Sequence, residues 1–235
     1  MRMDKMDFMS RWMVLFIVLG VSSCLSSDNN GGATPQSVAG VAFFHCAPST
    51  PNIAITIDGN AVTGGSLTYG NFSGYANLSD GAHKIRFSTA GDNATLIDSS
   101  YTLQALTTST IFLFNRGTNT KSFVSLDAAL AGISPNNAMF RFAHMSADMP
   151  DVKVGVAGQT KPIADQISAV QITPFADFLA QRLTVEVRAV NDNHLIISKI
   201  IDPLPAKYYT VVLVGSASAP AGSANELKLL LGESN

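Results

Sequence analysis

Basic residues are few in this chain and form no cluster beyond the first dozen positions. With a formal net charge of −2 and only 14% charged residues, it lacks the basic patch through which proteins hold nucleic acid, and no nucleic-acid partner is expected. Cysteine is almost absent: Cys24 and Cys46 are the only two, too few for a disulfide framework. There is no Gly-x-Ser-x-Gly elbow, no His-Glu-x-x-His and no Asp-x-Asp-x-Asn-Gly loop, so a serine elbow, a zinc-protease helix and a calcium loop are each unsupported. No second His or Cys stands at ligand spacing from either of the candidate histidines below, and neither a metal nor a cofactor is expected. Helical periodicity of normal length is missing too; Leu126–Ala131 gives at most a turn before Ser134-Pro135. What remains is a chain of 235 residues, 46% hydrophobic, able to bury sizeable cores in one large domain or two of sandwich size.

The N-terminus reads as an address. Arg2, Lys5 and Arg11 precede the apolar run Trp12–Gly20, and small residues follow, the layout of a secretory signal peptide over 1–23. The run is shorter than the ~20 residues that span a bilayer. Asp4 and Asp7 dilute the basic region, which leaves a later methionine open as the true start. Val21-Ser22-Ser23-Cys24 then resembles the lipobox of bacterial lipoproteins. That resemblance implies that Cys24 is acylated and becomes the first residue of the mature chain, held to the membrane by its lipid. Leu25 stands where an aspartate would suggest inner-membrane retention, so the implied address is the outer membrane. Residues 24–37, polar and Gly-rich after the cysteine, read as a flexible tether. A disulfide between Cys46 and Cys24 would compete with acylation, so Cys46 is expected as a small buried hydrophobe.

The rest is organised by repetition. His45 and His144, Pro51 and Pro150, and Gly59 and Gly158 each lie 99 apart, and between them Ile53, Ile55 and Ile57 answer Val152, Val154 and Val156 at period two. After Gly59 the offset becomes 100 and persists: Ile85 and Phe87 match Val185 and Val187, Asp92-Asn93 match Asp192-Asn193, and Thr110–Phe114 match Thr210–Val214. A single insertion over such a span indicates duplication. Short alternating strands between turn residues predict an all-β chain: two tandem immunoglobulin-like β-sandwiches, 38–132 and 133–235.

The first copy carries His45, Pro48, Asp58-Gly59 and Tyr69-Gly70-Asn71-Phe72-Ser73-Gly74-Tyr75; the second carries His144, Asp151, Gly158 and Tyr208-Tyr209-Thr210-Val211-Val212. This order resembles a bacterial envelope domain of unknown function, DUF4397, over most of the chain after Ala39. The first copy departs from it in closing with Ser109-Thr110-Ile111, and the second in lacking the Tyr-Gly stretch. The resemblance implies an exported β-sandwich, often in tandem, and no known activity.

Few residues invite a functional reading. His45 and His144 form a duplicated pair that suggests a metal or ligand site. Parity opposes this: with Arg141 facing solvent, Phe140, Phe142 and His144 point inward, and each histidine is expected to hydrogen-bond backbone in the following Pro-containing turn. Tyr69, Phe72 and Tyr75, interleaved with Gly70 and Gly74, suggest an aromatic platform for glycan or peptide; a glycine-permitted bulge with aromatics turned inward is the preferred alternative. The Asp-Asn pairs read as hairpin chemistry rather than calcium ligands. The function expected is a non-enzymatic, lipid-anchored envelope module for binding, adhesion or structure, with a protein or polysaccharide ligand. The alternative is a hydrolase or ligand-delivery subunit with its site at the junction of the two domains.

Overall fold

The computed structural model describes residues 37–62, 65–115, 119–127 and 133–234. The expected signal peptide, the acylated Cys24 and nearly all of the tether lie outside the described residues, as does the segment 128–132 that joins the two halves. All regular structure described is β-strand. Among the described residues no helix is long and apolar enough to cross a membrane.

The first half folds into eight strands: β1 (Val38–His45), β2 (Ile53–Ile57), β3 (Asn60–Ala61), β4 (Ala76–Ser79), β5 (Gly81–Thr89), β6 (Thr95–Leu103), β7 (Thr108–Phe114) and β8 (Lys121–Asp127). They form two sheets, ordered β4-β1-β7-β8 and β3-β2-β5-β6. The second half gives β9 (Asn137–His144), β10 (Val152–Val156), β11 (Ala164–Ile167), β12 (Gln171–Ile172), β13 (Ala176–Leu179), β14 (Leu183–Ala189), β15 (Leu195–Ile201), β16 (Tyr208–Val214) and β17 (Lys228–Ser234). Its sheets run β12-β9-β16-β17, with β13 also on β9, and β11-β10-β14-β15. The chain is therefore a tandem of β-sandwiches.

Each sandwich closes on its own core because period-two alternation puts one apolar row inward. In β2 and β10 the burial alternates residue by residue, with Ile53, Ile55 and Ile57 in one and Val152, Val154 and Val156 in the other turned in. Phe43, Phe87, Ile85 and Ile111 complete the first core, and Phe142, Val185, Val187 and Val211 the second. Each such side chain contributes about 1.5–3 kcal/mol by leaving water. The hairpins that follow β5 and β14 hold Asn93 and Asn193 at φ 57° and 59°, the left-handed region that asparagine tolerates, which is why the Asp-Asn pairs recur.

The duplication extends to strand register. In each sandwich the first strand lies parallel to the strand that opens the closing hairpin, with Gly40 opposite Thr108 in one and Met139 opposite Tyr208 in the other. The partners are offset by 99 and 100, the two spacings of the repeat. A second correspondence shows that the second half, which lacks the Tyr-Gly sequence, keeps its backbone path. Gly70 N bonds His45 O at 2.8 Å, and Val170 N bonds His144 O at 2.7 Å. Ser73 and Thr173 bond Phe43 and Phe142 through both backbone and side chain at 2.9 Å. Residues 169–175 follow that path with a different sequence. Val170 keeps the positive φ of Gly70, 62° against 87°.

A third core lies between the sandwiches. It gathers Phe44, Cys46, Phe112 and Phe114 from the first and Ala143, Met145, Val212 and Val214 from the second. By the repeat offsets these are four equivalent pairs, large on one side and, except at Cys46/Met145, smaller on the other. Phe44 presses on β17 so closely that a Cβ at Gly232 would meet its ring at 2.7 Å. Strands β1 and β7 are thus buried on both faces.

Candidate functional site

The paired histidines end β1 and β9 and are fully buried. His45 Nε2 lies 3.3 Å from Pro51 O and His144 Nε2 lies 3.2 Å from Pro150 O, so each ring donates to the carbonyl of the following turn. His45 Nδ1 also accepts from Ala47 N at 3.3 Å. Burial lowers both pKa values and keeps the imidazoles neutral, which suits a ring with one donor and one acceptor. His144 Nδ1 has no partner among the described residues. The two rings are turn braces, one to each sandwich. Among the described residues no group of three His, Cys, Asp or Glu side chains is placed to hold a metal ion.

The aromatic stretch packs inward rather than forming an open platform. Phe72 meets Phe44 edge-on at 5.9 Å and Tyr75 at 5.7 Å, and joins the third core with Tyr69. Tyr69 packs edge-on to His45, and its buried hydroxyl finds no partner among the described residues. Burial, with Cys46 and Glu226 nearby, pushes its pKa up to about 12. Cys46 is fully enclosed and its thiol is pushed well up by burial, the state of a packing residue rather than a nucleophile.

Arg141 corrects the parity argument. Alternation assigned it to the face opposite Phe140 and Phe142, and it is there; but that face is covered by the first sandwich, not by solvent. Its side chain is 2% exposed and pairs through Nη1 with Asp127 of β8, itself 1% exposed. Nε donates to Thr210 at 2.9 Å, Nη1 to Ser125 at 3.1 Å and Nη2 to Thr110 at 3.3 Å. The Asp127 carboxylate accepts from Thr110 at 2.6 Å and from the Tyr75 hydroxyl. Phe175 lies 4.6 Å under the guanidinium. All three guanidinium nitrogens and both carboxylate oxygens have partners, the condition for tolerating charge in a low dielectric. One signal was available in sequence: the repeat counterpart of Arg141 is Ala42, and a charge that enters only one copy of an apolar strand marks a changed environment.

Among the described residues, one Ser-His-Asp row stands at the edge of the first sandwich. His83 Nδ1 is 2.7 Å from Asp58 Oδ2, and Nε2 is 2.8 Å from Ser79 O but 3.4 Å from Ser79 Oγ. Nδ1 bonds the Asp58 carboxylate and Nε2 lies closer to the Ser79 carbonyl than to its hydroxyl, and the bond to Asp58 raises the pKa of His83. With Nε2 turned to the carbonyl, the ring is not aligned to take a proton from the hydroxyl. The row ties β5 to the β2–β3 turn and to β4. The acidic loops are equally occupied: Asp148 accepts from Ser216 and from Ala217 N, and Asp192 from His194.

Two concave surfaces lie at the seam, and a larger one of about 860 Å³ lies within the second sandwich, lined among others by Val156, Pro162, Phe178 and Arg182. A furrow of about 560 Å³ is lined by Phe123, Val124, Ser125 and Leu126 of β8 and, opposite, by Pro174 and Phe175, with Arg141 among its lining residues. A smaller cavity of about 360 Å³ lies between Asn115, Asn119 and Lys121 of the first sandwich and Asp148, Ser216 and Asn225 of the second. Ser49 of the first sandwich bonds Asn225 of the second at 2.7 Å. Both volumes fall in the range of ligand sites.

The fold and the seam define a class, that of tandem all-β sandwich proteins fused along one face. Within it, residues 39–155 match the family model described as Domain of unknown function (DUF4397), a match that covers the first sandwich and runs through β9 into β10. No curated protein matches the chain.

Proposed function

We propose that this chain is a lipid-anchored envelope protein that acts as a non-catalytic binding module, with the second sandwich a further copy of the domain matched over 39–155. The observation that carries the binding reading is the furrow along the seam, walled by both sandwiches and lined mostly by apolar side chains. Such concave apolar surface between rigid units is where ligands and partners are accommodated. The anchor rests on the lipobox-like Val21–Cys24 and the apolar run before it. Multiple acyl chains at Cys24, at ~0.8 kcal/mol per buried CH2, would hold the module to the outer membrane.

Labelling cells with radioactive palmitate tests the anchor: incorporation is expected in the native chain and lost in Cys24→Ala, and equal labelling of both would sink it. Protease shaving of intact cells then decides the side on which the sandwiches stand. Digestion in intact cells points to adhesion or capture outside; protection until the outer membrane is broken points to a periplasmic partner. The alternative, a hydrolase or ligand-delivery subunit with its site at the junction of the two sandwiches, is tested separately: a serine-directed fluorophosphonate that labels the chain would favour a hydrolase over a binding module.

A further inference from the structure

The furrow borders an unpaired strand edge, and the two together specify what fits there. Four consecutive residues of β8, Phe123 to Leu126, line it. Successive side chains of a strand point to opposite faces, so a groove that touches four in a row runs along the strand's edge. β8 is the outermost strand of its sheet, pairing only with β7. Among the described residues its outer backbone N–H and C=O groups find no other backbone partner.

Edges of this kind are normally blunted by shortness, bulges or charge. The other edges here show such devices. β3, β4, β11 and β12 have two to four residues, β6 and β15 have a register break in their pairing, and β17 carries Lys228 and Glu233 in ion pairs. β8 is neither short nor broken, and its middle carries no charge. Its seven residues pair with β7 without a break, and Val124 and Leu126 are 42% and 54% exposed. Its two charges stand at the ends, and one of them, Asp127, is neutralised by Arg141.

We propose that the β8 edge takes up an extended, apolar-alternating peptide segment of a partner protein, which adds a strand to the β4-β1-β7-β8 sheet. Backbone groups supply the series of hydrogen bonds that only another strand can answer, and alternate side chains enter the furrow between Phe123 and Phe175. Because the Arg141 charge is matched by Asp127, the furrow selects for apolar side chains rather than for acidic or basic ones. The proposal rests on the binding-module reading and names its partner.

The test uses the purified chain and a fluorescein-labelled peptide of alternating valine and threonine, about eight residues long, enough to run the length of such a strand. Saturable binding by anisotropy is expected, with affinity at least tenfold weaker for the same peptide N-methylated at alternate residues, which cannot complete the ladder. Val124→Lys and Leu126→Lys, both at exposed positions, are expected to weaken binding by a similar factor while circular dichroism and melting stay unchanged. Equal binding of the methylated peptide would overturn strand addition while leaving the binding reading intact. No binding up to millimolar peptide would also overturn it. Self-association of the chain that Val124→Lys abolishes would show a second copy on this edge, and would overturn it as well.

Discussion

Asp127 closes the last strand of the first sandwich and Arg141 lies within the first strand of the second, and their side chains meet at the seam with 1% and 2% exposure. The other groups bonded to the pair are neutral hydroxyls, so each charge depends on the other. Asp127→Ala or Arg141→Ala leaves a buried ion unpaired and is expected to cost about 3–5 kcal/mol. The double change Asp127→Leu with Arg141→Met, which removes both charges at similar volume, is expected to return most of that loss. Urea unfolding of the four proteins measures it; single variants no worse than the double one would contradict the mutual dependence.

Gly232 and Phe44 set the spacing of the same seam. A Cβ at Gly232 would stand 2.7 Å from Phe44 Cε1, so Gly232→Val is expected to destabilise by about 1–3 kcal/mol. Phe44→Leu in that background should recover part of the loss, a coupling that separate, independent sites would not show. A double-mutant cycle by thermal unfolding decides between them.

Leu106 sits at φ 59° with its side chain 83% exposed, and its repeat counterpart Ala206 sits at φ 57°. The left-handed conformation costs an ordinary residue about 1–2 kcal/mol, and here little packing offsets it. Leu106→Gly is expected to raise stability by about 0.5–1 kcal/mol once the greater freedom of unfolded glycine is deducted. A lower melting temperature for the variant would refute this.

The histidines pull stability in opposite directions with pH. His83 holds its proton more tightly when folded than at the ordinary value of 6.5, through its bond to Asp58. That stabilisation is fully present below about pH 6.5 and is lost as pH rises through the raised folded value. His45 and His144, lowered by burial, act the other way: the unfolded chain takes up protons that the folded chain refuses, so stability falls as pH drops below 6.5. Asp58→Asn is therefore expected to destabilise more at roughly pH 5.5 than at roughly pH 8.5, while His45→Gln should flatten the loss on the acid side. Denaturant midpoints across that range, for each variant beside the native chain, provide the check.

Much of this architecture was legible before any coordinates. The two offsets fixed which strands correspond, and the parallel pairs Gly40–Thr108 and Met139–Tyr208 obey both. Alternation placed Ile53–Ile57 and Val152–Val156 correctly because each of these strands has one buried face. It misled at Arg141 because parity tells which residues share a face and is silent on what covers it. The stretch 169–175 escaped notice for a related reason: its backbone path is held by hydrogen bonds that Val170 and Thr173 make as well as Gly70 and Ser73 do, so the residues were free to change. The furrow, assembled from segments remote in sequence, left no local pattern to read.

The unequal faces of the seam also determine what each half refuses. A first-type face set against another would press Phe44, Phe112 and Phe114 onto their own copies, with only Cys46 small among them. Two second-type faces would bring Arg141 against Arg141 with no carboxylate between them. Like faces therefore fit one another poorly and each sandwich is shaped for its complement, so the repeat behaves as a heterodimer written in one chain.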